Sequence, residues 1–384
     1  RHFNLAEINS GTVYSKLFKN LPLVDKQFIR DHAQDWVTTN KHQKLTRSTT
    51  SGSTGVPFEI FHSNISRDVK LAAKFRLLEW NGVKRSQKQI YYGCTFSSER
   101  SKLATLKIYL NDRFVYNKIV IDVTKVSEKT IPLEIQRINV EQPVTIWGYP
   151  SVIFEIARYS LVNNLKIRNN RLKMVIFSGE SHTPYMEKIV AQAFHVWPSD
   201  EYNSNEGFIA GTCEHHKMHL NEDILIAEVL TDTGEVKDIG KGELIVTHLF
   251  SFDYPFIRYN TGDIVEIIDE SCPCGRNFKI IKSLEGRTGS VIHNGEEKIS
   301  NSVCNHYVTK SAYFSAIKKY QIIQRDTSTV VIKIVAYDKA YDFQQFEKHM
   351  QRLFNMLKVN FEYVDDIPRD RSGKYRDVIN CSQN

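Results

Sequence analysis

Several short segments of the sequence carry residue types that could bind a nucleotide. The first, Thr49–Pro57, is rich in serine, threonine and glycine. Backbone N–H groups and hydroxyls in such a segment can wrap a polyphosphate. The segment lacks the Gly-Lys-Ser/Thr ending of a Walker A loop, and on its own it is equally consistent with a surface turn.

Two segments place polar residues beyond short apolar runs. Ser178-Gly179-Glu180 follows the apolar run Met174–Phe177, and loops at the ends of buried strands are where α/β sheets bind ligands. In Tyr202–Gly207, Tyr202 could stack on a purine, and Glu206 could hold a Mg²⁺ ion bound to phosphates. Each segment taken alone is also explained by an ordinary turn.

Three later segments could complete a nucleotide site. Arg258–Asp263 ends in a carboxylate after a glycine turn, which could accept both hydroxyls of a ribose. The arginine of Gly286–Ser290 lies between glycines, which suits a hinge that also reaches a phosphate. In Pro368–Arg376, Lys374 follows a glycine and is a mobile cation that could meet a phosphate. The alternative for Arg258–Asp263 is an ordinary β-turn, and the alternative for Pro368–Arg376 is a basic tail.

A separate group of cysteines and histidines predicts a zinc site. Cys213 is followed closely by three histidines, and Cys272 and Cys274 lie about 50 residues later. Thiolate and imidazole are preferred zinc ligands, and four of them close a tetrahedral structural site with no open position for catalysis. Three sulfurs and one of the histidines (His215, His216 or His219) would tie two strand-rich segments together. Free buried cysteines are the alternative.

The elements that must position these residues follow an alternating pattern. Short β-rich runs (Phe58–His62, Ile90–Cys94, Val144–Trp147, Met174–Phe177) alternate with helical patterns such as 64–80, Val152–Val162 and Tyr185–Phe194. Such alternation predicts an α/β fold. The segment 224–268 is richer in strands.

The texture changes after Arg287. Strands are predicted at Tyr320–Gln324, Val330–Ala336 and Val359–Val364, with a helix at 343–357 whose apolar stripe is typical of a core. We therefore expect two domains, a large N-terminal domain over residues 1–285 and a small α+β domain over 286–384. The basic segment with Lys374 falls in the small domain.

Composition limits the class of protein. The chain has 384 residues, of which 41% are hydrophobic and 25% charged, as in ordinary globular proteins. Six cysteines are too few for a disulfide scaffold, and no apolar run approaches the ~18 residues of a membrane span. The first residues, Arg1–Asn4, lack the apolar stretch of a signal peptide. We expect a cytoplasmic protein without membrane partners. The net charge of +7 is spread along the chain, which favours a mixed, solvated surface over a nucleic-acid interface.

The order of these segments resembles the adenylate-forming enzyme superfamily, most closely the phenylacetate–CoA ligase-like branch that includes relatives from capsular polysaccharide gene clusters. The resemblance runs from about Leu21 to Lys374. It implies a large multi-subdomain ATP- and acid-binding domain with a small mobile C-terminal domain. It also implies activation of a carboxylic acid as an acyl-adenylate with ATP and Mg²⁺, followed by acyl transfer to CoA.

The resemblance assigns roles to individual positions. ATP would be bound by Ser51, Gly52, Ser53, Thr54, Gly55, Gly179, Glu180, Tyr202, Asn205, Asp263 and Arg287. In detail, the first five form the phosphate loop, Gly179, Glu180 and Tyr202 surround adenine, Asp263 holds the ribose, and Arg287 marks the hinge. Glu206 would bind Mg²⁺, Lys374 would bridge the carboxylate and the α-phosphate, and Tyr149 would line the acid pocket. The branch also selects His219 as the fourth zinc ligand beside Cys213, Cys272 and Cys274.

Three departures from the family pattern keep the acceptor open. Asn205 stands where the family usually has threonine, Asn260 where it often has arginine, and Gly289-Ser290 where an acidic pair commonly follows the hinge. The alternative acceptors are an amine, such as an amino sugar, or a carrier-protein thiol. A zinc-containing nucleic-acid-binding protein is the distant alternative. Relatives are often dimers, so a homodimer is also expected.

Overall fold

The computed structural model describes residues 18–37, 45–50, 58–94, 102–287, 291–370 and 373–381. Its N-terminal part holds helices α1 (Lys26–Asp31) and α2 (Ala33–Trp36), the antiparallel pair β1 (Thr46–Thr50) and β2 (Phe58–His62), and helix α3 (Asn64–Trp80). Residues 51–57, which include the predicted phosphate loop, lie outside the described residues. The paired strands β1 and β2 flank that segment on either side.

A parallel β/α unit forms the centre of the large domain. Its elements in chain order are β3 (Gln89–Gly93), α4 (Lys102–Leu110), β4 (Lys118–Asp122), α5 (Ile131–Glu141), β5 (Thr145–Gly148), α6 (Pro150–Val162), β6 (Met174–Ser178), α7 (Pro184–Phe194) and β7 (Ser199–Asn203). The strands pair in parallel in the order β4-β3-β5-β6-β7. The carboxyl ends of β5, β6 and β7 therefore meet at one edge, where open α/β sheets bind ligands. The predicted α/β fold is confirmed.

Seven antiparallel strands extend the same sheet. They are β8 (Phe208–Thr212), β9 (Met218–Leu220), β10 (Leu225–Leu230), β11 (Val236–Lys237), β12 (Gly240–His248), β13 (Tyr259–Ile268) and β14 (Ile280–Arg287). The twelve strands of this sheet have the order β11-β10-β12-β13-β14-β9-β8-β7-β6-β5-β3-β4. As a result, β13, which carries Asp263, lies in the same sheet as β7.

The C-terminal part folds around its own sheet. Its elements are β15 (Ile292–Asn294), β16 (Glu297–Ile299), α8 (Asn301–Thr309), β17 (Ile317–Gln324), β18 (Thr329–Ala336), α9 (Gln344–Leu353), β19 (Lys358–Tyr363) and β20 (Val378–Asn380). Four of these strands form a sheet in the order β19-β18-β17-β20. The apolar stripe predicted on the last helix is confirmed as core, since Phe346, Met350 and Phe354 are buried against this sheet. The exact domain boundary stays a prediction.

Local sequence signals explain where several helices begin. The side chains of Ser63 and Thr183 precede α3 and α7 and accept hydrogen bonds from Ser66 N at 3.2 Å and Met186 N at 3.3 Å. Proline occupies the first turn of α6 and α7, where its missing N–H costs nothing. These two helices start directly after the residues that border the carboxyl edge of β5 and β6.

The two domains are in direct contact. The Arg158 guanidinium of α6 lies 3.7 Å from the ring centroid of Tyr337. Tyr185 of α7 meets Phe314 edge to face at 4.7 Å between centroids. These contacts place the C-terminal domain beside α6 and α7, next to the edge of the sheet. No described helix is both long enough and apolar enough to cross a membrane.

Candidate active site

A cleft of about 1070 Å³ opens at the carboxyl edge of the parallel strands, between the two domains. Seven of the predicted site residues line it: Gly179, Glu180, Tyr202, Asn205, Glu206, Asp263 and Lys374. Tyr202 lies in β7 and Asp263 in β13, four others lie in the segments that directly follow β6 and β7, and Lys374 belongs to the C-terminal domain. The sequence segments that were separately weak indicators are thus gathered around one space.

Two glycines allow Tyr149 and Lys374 to approach the edge. A Cβ on Gly148, whose φ is +155°, would lie 2.1 Å from the Tyr92 carbonyl oxygen. A Cβ on Gly179, whose φ is +81°, would lie 3.0 Å from Tyr149 Cε1 and 3.6 Å from Lys374 Cε. The backbone at Gly179 is therefore a floor on which the tyrosine and the lysine side chains both rest.

Glu206 is presented by a tight loop after β7. Ser204 N donates to the Gly207 carbonyl at 2.9 Å, and Gly207 N donates to Ser204 Oγ at 3.3 Å, which leaves Asn205 and Glu206 at the tip. The Tyr259 hydroxyl donates to Glu206 Oε1 at 3.3 Å. The Glu206 carboxylate lines the cleft and could hold a Mg²⁺ ion, which proteins often bind through one or two carboxylates and substrate phosphates.

Cationic and imidazole side chains surround this loop. The Lys70 ammonium of α3 donates to the Ser204 carbonyl, and burial lowers the pKa of Lys70 to about 8, against the opposing effect of Glu206. Burial also lowers the pKa values of His62 and His248 to about 4. Both histidines are therefore neutral at pH 7. Of these three side chains, Lys70 is the one that carries positive charge beside the loop.

Asp263 reaches the cleft from a strand and not from a turn. The alternative of a β-turn between two strands is wrong, because β13 runs continuously from Tyr259 to Ile268. The pairing with β12 shifts from Ile245 opposite Asn260 to Glu243 opposite Ile264, so the intervening residues form a bulge. The bulge directs Asp263 towards Tyr202, whose hydroxyl donates to Asp263 Oδ2 at 2.5 Å.

The hinge arginine lies beside the same bulge. Arg287 pairs with Asp263 across β13 and β14. Its side chain, like residues Thr288–Ser290, lies outside the described part of the structure. The predicted contact of Arg287 with the nucleotide stays a prediction, as does the phosphate loop of residues 51–55.

The Glu180 carboxylate faces the C-terminal domain. Its Oε1 accepts a hydrogen bond from Tyr375 N at 2.6 Å, and its Oε2 accepts one from Ser151 N at 3.1 Å. Arg369 Nη1 lies 3.6 Å from Oε1. Burial raises the pKa of Glu180, and Arg369 and the hydrogen bonds oppose that rise. The residue next to Lys374 is thus bound directly to the large domain. The predicted role of Glu180 at adenine stays a prediction.

The predicted zinc ligands lie together between two hairpins of the large sheet. Cys213, His219, Cys272 and Cys274 have ligand atoms within 4.8 Å of one another, whereas His215 and His216 are exposed. Cys213 Sγ and Cys272 Sγ are 3.8 Å apart, and Cys274 Sγ and His219 Nε2 are 3.3 Å apart. Zn–S bonds of about 2.3 Å at tetrahedral angles give sulfur separations of about 3.8 Å.

The Nδ1 atom of His219 also supports a zinc site at this position. His219 Nδ1 lies 2.9 Å from the Phe278 carbonyl oxygen, and a hydrogen bond there leaves Nε2 free to face the sulfurs. The four side chains therefore fit a structural zinc ion. It would join the β8–β9 hairpin to the turn before β14.

Sequence reasoning missed three charged residues near the cleft. Lys70 and Lys74 lie one turn apart on α3, and Glu201 is buried in β7. A spacing of four residues puts both lysines on one face of the helix. That face also carries buried Ala73 and Leu77. Two lysines at helical spacing beside apolar core positions were therefore the sequence signal that could have indicated buried lysines.

Comparisons with known proteins agree with this architecture. Residues 291–381 match the family model described as the CapK C-terminal domain. The chain is 28% identical over 376 residues to Protein CapK of Staphylococcus aureus, covering 94% of this chain and 79% of that protein. It is 30% identical over 128 residues to phenylacetate-coenzyme A ligase of Thermus thermophilus, covering 32% of this chain and 29% of that protein.

A solved structure resembles the whole chain. 2-Hydroxyisobutyryl-CoA ligase in its postadenylation state, in complex with an acyl-AMP, aligns with a TM-score of 0.77 at 18% identity, covering 98% of this chain and 83% of that one. In its thioesterification state the same ligase gives 0.63. The chain therefore has the fold of this acyl-CoA ligase.

Proposed function

We propose that this protein uses ATP and Mg²⁺ to convert a carboxylic acid into an acyl-adenylate and then transfers the acyl group to CoA. The observation that carries the proposal is the position of Lys374. The C-terminal domain brings this lysine to Gly179, into the cleft that Glu206 and Asp263 line from the large domain.

The nucleotide is assigned to the side of the cleft formed by β7 and β13. Asp263 lines the cleft and accepts a hydrogen bond from Tyr202, and its carboxylate would accept hydrogen bonds from the ribose hydroxyls. Glu206 would hold the Mg²⁺ ion, which offsets the charge of the ATP phosphates when bound. Lys70, near the same loop, adds a fixed positive charge on the phosphate side.

Lys374 is assigned to the bond-forming step. An acid carboxylate must approach an α-phosphate of the same charge, and a cation between them lowers that repulsion. Lys374 is held by two hydrogen bonds with Asp370: Lys374 N donates to Asp370 Oδ1 at 3.1 Å, and Asp370 N donates to the Lys374 carbonyl at 2.8 Å. Catalysis would then consist mainly of positioning and electrostatic stabilisation.

Acyl transfer to CoA is the second half of the proposal. It requires that Lys374 leave the cleft, a domain movement that often limits turnover in such enzymes. We also propose that Cys213, His219, Cys272 and Cys274 hold a structural zinc ion remote from this chemistry. A cytoplasmic location, a homodimer and the identity of the acid stay predictions.

ATP–pyrophosphate exchange with a panel of carboxylic acids tests the first half of the proposal. We expect acid-dependent exchange that falls at least about 100-fold in Lys374→Ala, since one well-placed electrostatic group is commonly worth that much. Lys339→Ala is the matched control, because Lys339 is an exposed lysine of the same domain, paired with Asp365. Its exchange rate should equal that of the wild type.

The outcomes separate the two halves of the proposal. Exchange that survives loss of Lys374, or an absence of ATP binding, would contradict the adenylation step. If exchange occurs but adding CoA yields no thioester, while an amine or a carrier protein is acylated, the adenylation step stands and the assigned acceptor is wrong. Thioester formation with CoA supports the whole proposal.

A further inference from the structure

A group of polar side chains lies on one face of the parallel sheet, beneath α3 and directly behind the cleft floor. Tyr91 pairs with Trp147 across β3 and β5, and Ser178 pairs with Glu201 across β6 and β7. Because paired and alternate residues share a face, Tyr91, Trp147, Ser178, Glu201 and Asn203 all point to the same side. Ser178 directly precedes Gly179, so this inner polar cluster begins one residue from the cleft floor.

Three buried polar atoms of the inner polar cluster lack a hydrogen-bond partner within the described part of the chain. Glu201 is 5% exposed, and its Oε1 accepts a hydrogen bond from Ser178 Oγ at 2.8 Å. Within the described part of the chain, Glu201 Oε2, Asn203 Oδ1 and Trp147 Nε1 each lack a hydrogen bond. Buried polar atoms in folded proteins are nearly always paired, so three of them on one face call for a ligand that supplies the missing partners.

Nearby titratable groups limit which ligand can supply these partners. The Lys74 ammonium lies 2.5 Å from the Trp147 ring centroid, and Tyr91 covers the indole at 4.1 Å between centroids. Burial lowers the pKa of Lys74 to about 7, and Glu201 opposes that shift. Among described residues no ion pair shorter than 4.0 Å joins Lys74 to Glu201. The two charges act on the same space without neutralising each other through direct contact.

The unpaired atoms include both kinds of hydrogen-bonding group. The Glu201 and Asn203 oxygens are acceptors, and the Trp147 indole N–H is a donor. A hydroxyl both donates and accepts, so hydroxyls can satisfy all three. Lys70 and Lys74 disfavour an ammonium group here, and Glu201 disfavours a second carboxylate. An alkyl or aryl chain would leave every one of the three atoms unpaired.

We propose that the acid activated by this enzyme is a hydroxylated carboxylic acid, whose hydroxyl groups are bound by Glu201, Asn203 and Trp147. This inference rests on the proposed function and specifies its substrate class. A site that hydrogen-bonds a hydroxyl rejects the analogue without it far more strongly than an apolar pocket rejects a change of one methylene.

Binding of non-hydrolysable acyl-adenylate mimics tests the inference before the natural acid is identified. Acyl-sulfamoyl adenosines carrying butanoyl, its mono- and dihydroxylated derivatives, and phenylacetyl groups would be titrated by calorimetry, with sulfamoyl adenosine as the nucleotide-only reference. We expect the best hydroxylated mimic to bind roughly 10- to 100-fold more tightly than butanoyl or phenylacetyl.

Two conservative variants test whether the inner polar cluster causes the preference for hydroxylated mimics. Trp147→Phe keeps an aromatic ring and removes the N–H, and Glu201→Gln turns one acceptor into a donor. Each should weaken the hydroxylated mimic at least about tenfold and leave the butanoyl mimic within about threefold. Thermal unfolding of both variants checks that they are folded, and the wild-type comparison stands even where a variant is not.

Each result decides a different point. If the butanoyl or phenylacetyl mimic binds as tightly as every hydroxylated mimic, the inference is overturned. Water molecules, and not substrate hydroxyls, would then pair with the buried atoms of the inner polar cluster. A hydroxyl preference that persists in both variants overturns the residue assignment. If sulfamoyl adenosine and all mimics fail to bind, the proposed function fails, and the substrate class fails with it.

Discussion

Glu180 offers a sharp test of how Lys374 is positioned. Its carboxylate accepts hydrogen bonds from Ser151 N of the large domain and from Tyr375 N of the C-terminal domain, with Arg369 at 3.6 Å. The side chain is 3% exposed. Replacing it in Glu180→Gln keeps the shape but removes the charge. It also places an amide N–H₂ opposite one of the two backbone N–H groups.

The magnitude follows from the contacts that are lost. A hydrogen bond to a charged group contributes about 1.5–3 kcal/mol. Arg369 keeps a second carboxylate, since Glu155 Oε1 lies 3.3 Å from its Nη2, so the penalty of an unpaired buried charge is reduced. We take about 2 kcal/mol for the docked arrangement, which corresponds to roughly 30-fold in rate. This loss applies only to the step in which Lys374 occupies the cleft.

The assay separates the two half-reactions. ATP–pyrophosphate exchange reports the adenylation step, and transfer from a chemically prepared acyl-adenylate to CoA reports the second. We expect Glu180→Gln to lower exchange about 30-fold and to leave transfer within about twofold of the wild type. Glu155→Gln is the matched control, because Glu155 also pairs with Arg369 but makes no hydrogen bond to Tyr375 in the described structure. It should lower exchange less than about fivefold.

Two results would refute this account of Glu180. A rise in the KM for ATP with an unchanged maximal exchange rate would indicate a nucleotide contact, as the family resemblance implies, and not a docking contact. An equal fall in exchange and transfer would indicate general damage to the large domain. Only a selective loss of the adenylation rate agrees with a residue that positions Lys374 through its neighbour.

Two further predictions concern the metal site and a lysine beside the cleft. Cys274→Ser should reduce bound zinc, measured by elemental analysis, from about one ion per chain to near zero, while the exposed Cys381→Ser keeps it; equal zinc in both variants would contradict the site. Burial lowers the pKa of Lys74 from 10.5 to about 7. Between pH 7 and pH 10.5 the unfolded chain therefore holds a proton on Lys74 that the folded chain has lost. The free energy of unfolding rises with pH in that range, by up to about 1.4 kcal/mol per pH unit. Lys74→Met should unfold at higher urea than the wild type at pH 7 and gain less between pH 7 and 9; parallel pH curves for the two proteins would contradict the shift.

Much of the fold could be predicted because local patterns and long-range packing agree. Phe58–His62 is a strand and 64–80 a helix, as their patterns predicted. The apolar stripe of α9 is buried, although the helix ends at Leu353 and not at residue 357. Element types follow from side-chain periodicity, whereas the end of a helix depends on what lies beyond it.

The bulge at Asp263 shows what local reasoning misses. A Gly-Asp pair after a polar run is typical of a turn, but pairing on both sides, with β12 and β14, holds the segment in a strand. The extra residues then leave the ladder as a bulge and aim Asp263 at Tyr202. Pairing partners distant in sequence decide between a turn and a bulge, and no local pattern names them.

The residues that sequence reasoning missed share a physical cause. Glu201, Lys70 and Lys74 read as ordinary charges on a strand and a helix, and only the packing of α3 on the sheet removes them from water. The same packing places Lys70 at the loop that carries Glu206, and Lys74 over the Trp147 ring. Burial of a charge is a property of the assembled domain, so a chemically useful lysine cannot be told from a solvated one by its spacing alone.

The contact between Glu180 and Arg369 also suits the proposed reaction cycle, in which the C-terminal domain docks and releases. A buried ion pair gains attraction between its charges but loses their hydration, so its net contribution is often small. When the C-terminal domain moves away, Glu180 and Arg369 regain water, and the two arrangements can remain close in free energy. An apolar interface of the same area would favour the docked state more strongly and slow release. Directional hydrogen bonds to the neighbour of Lys374 thus position the lysine without holding it permanently in the cleft.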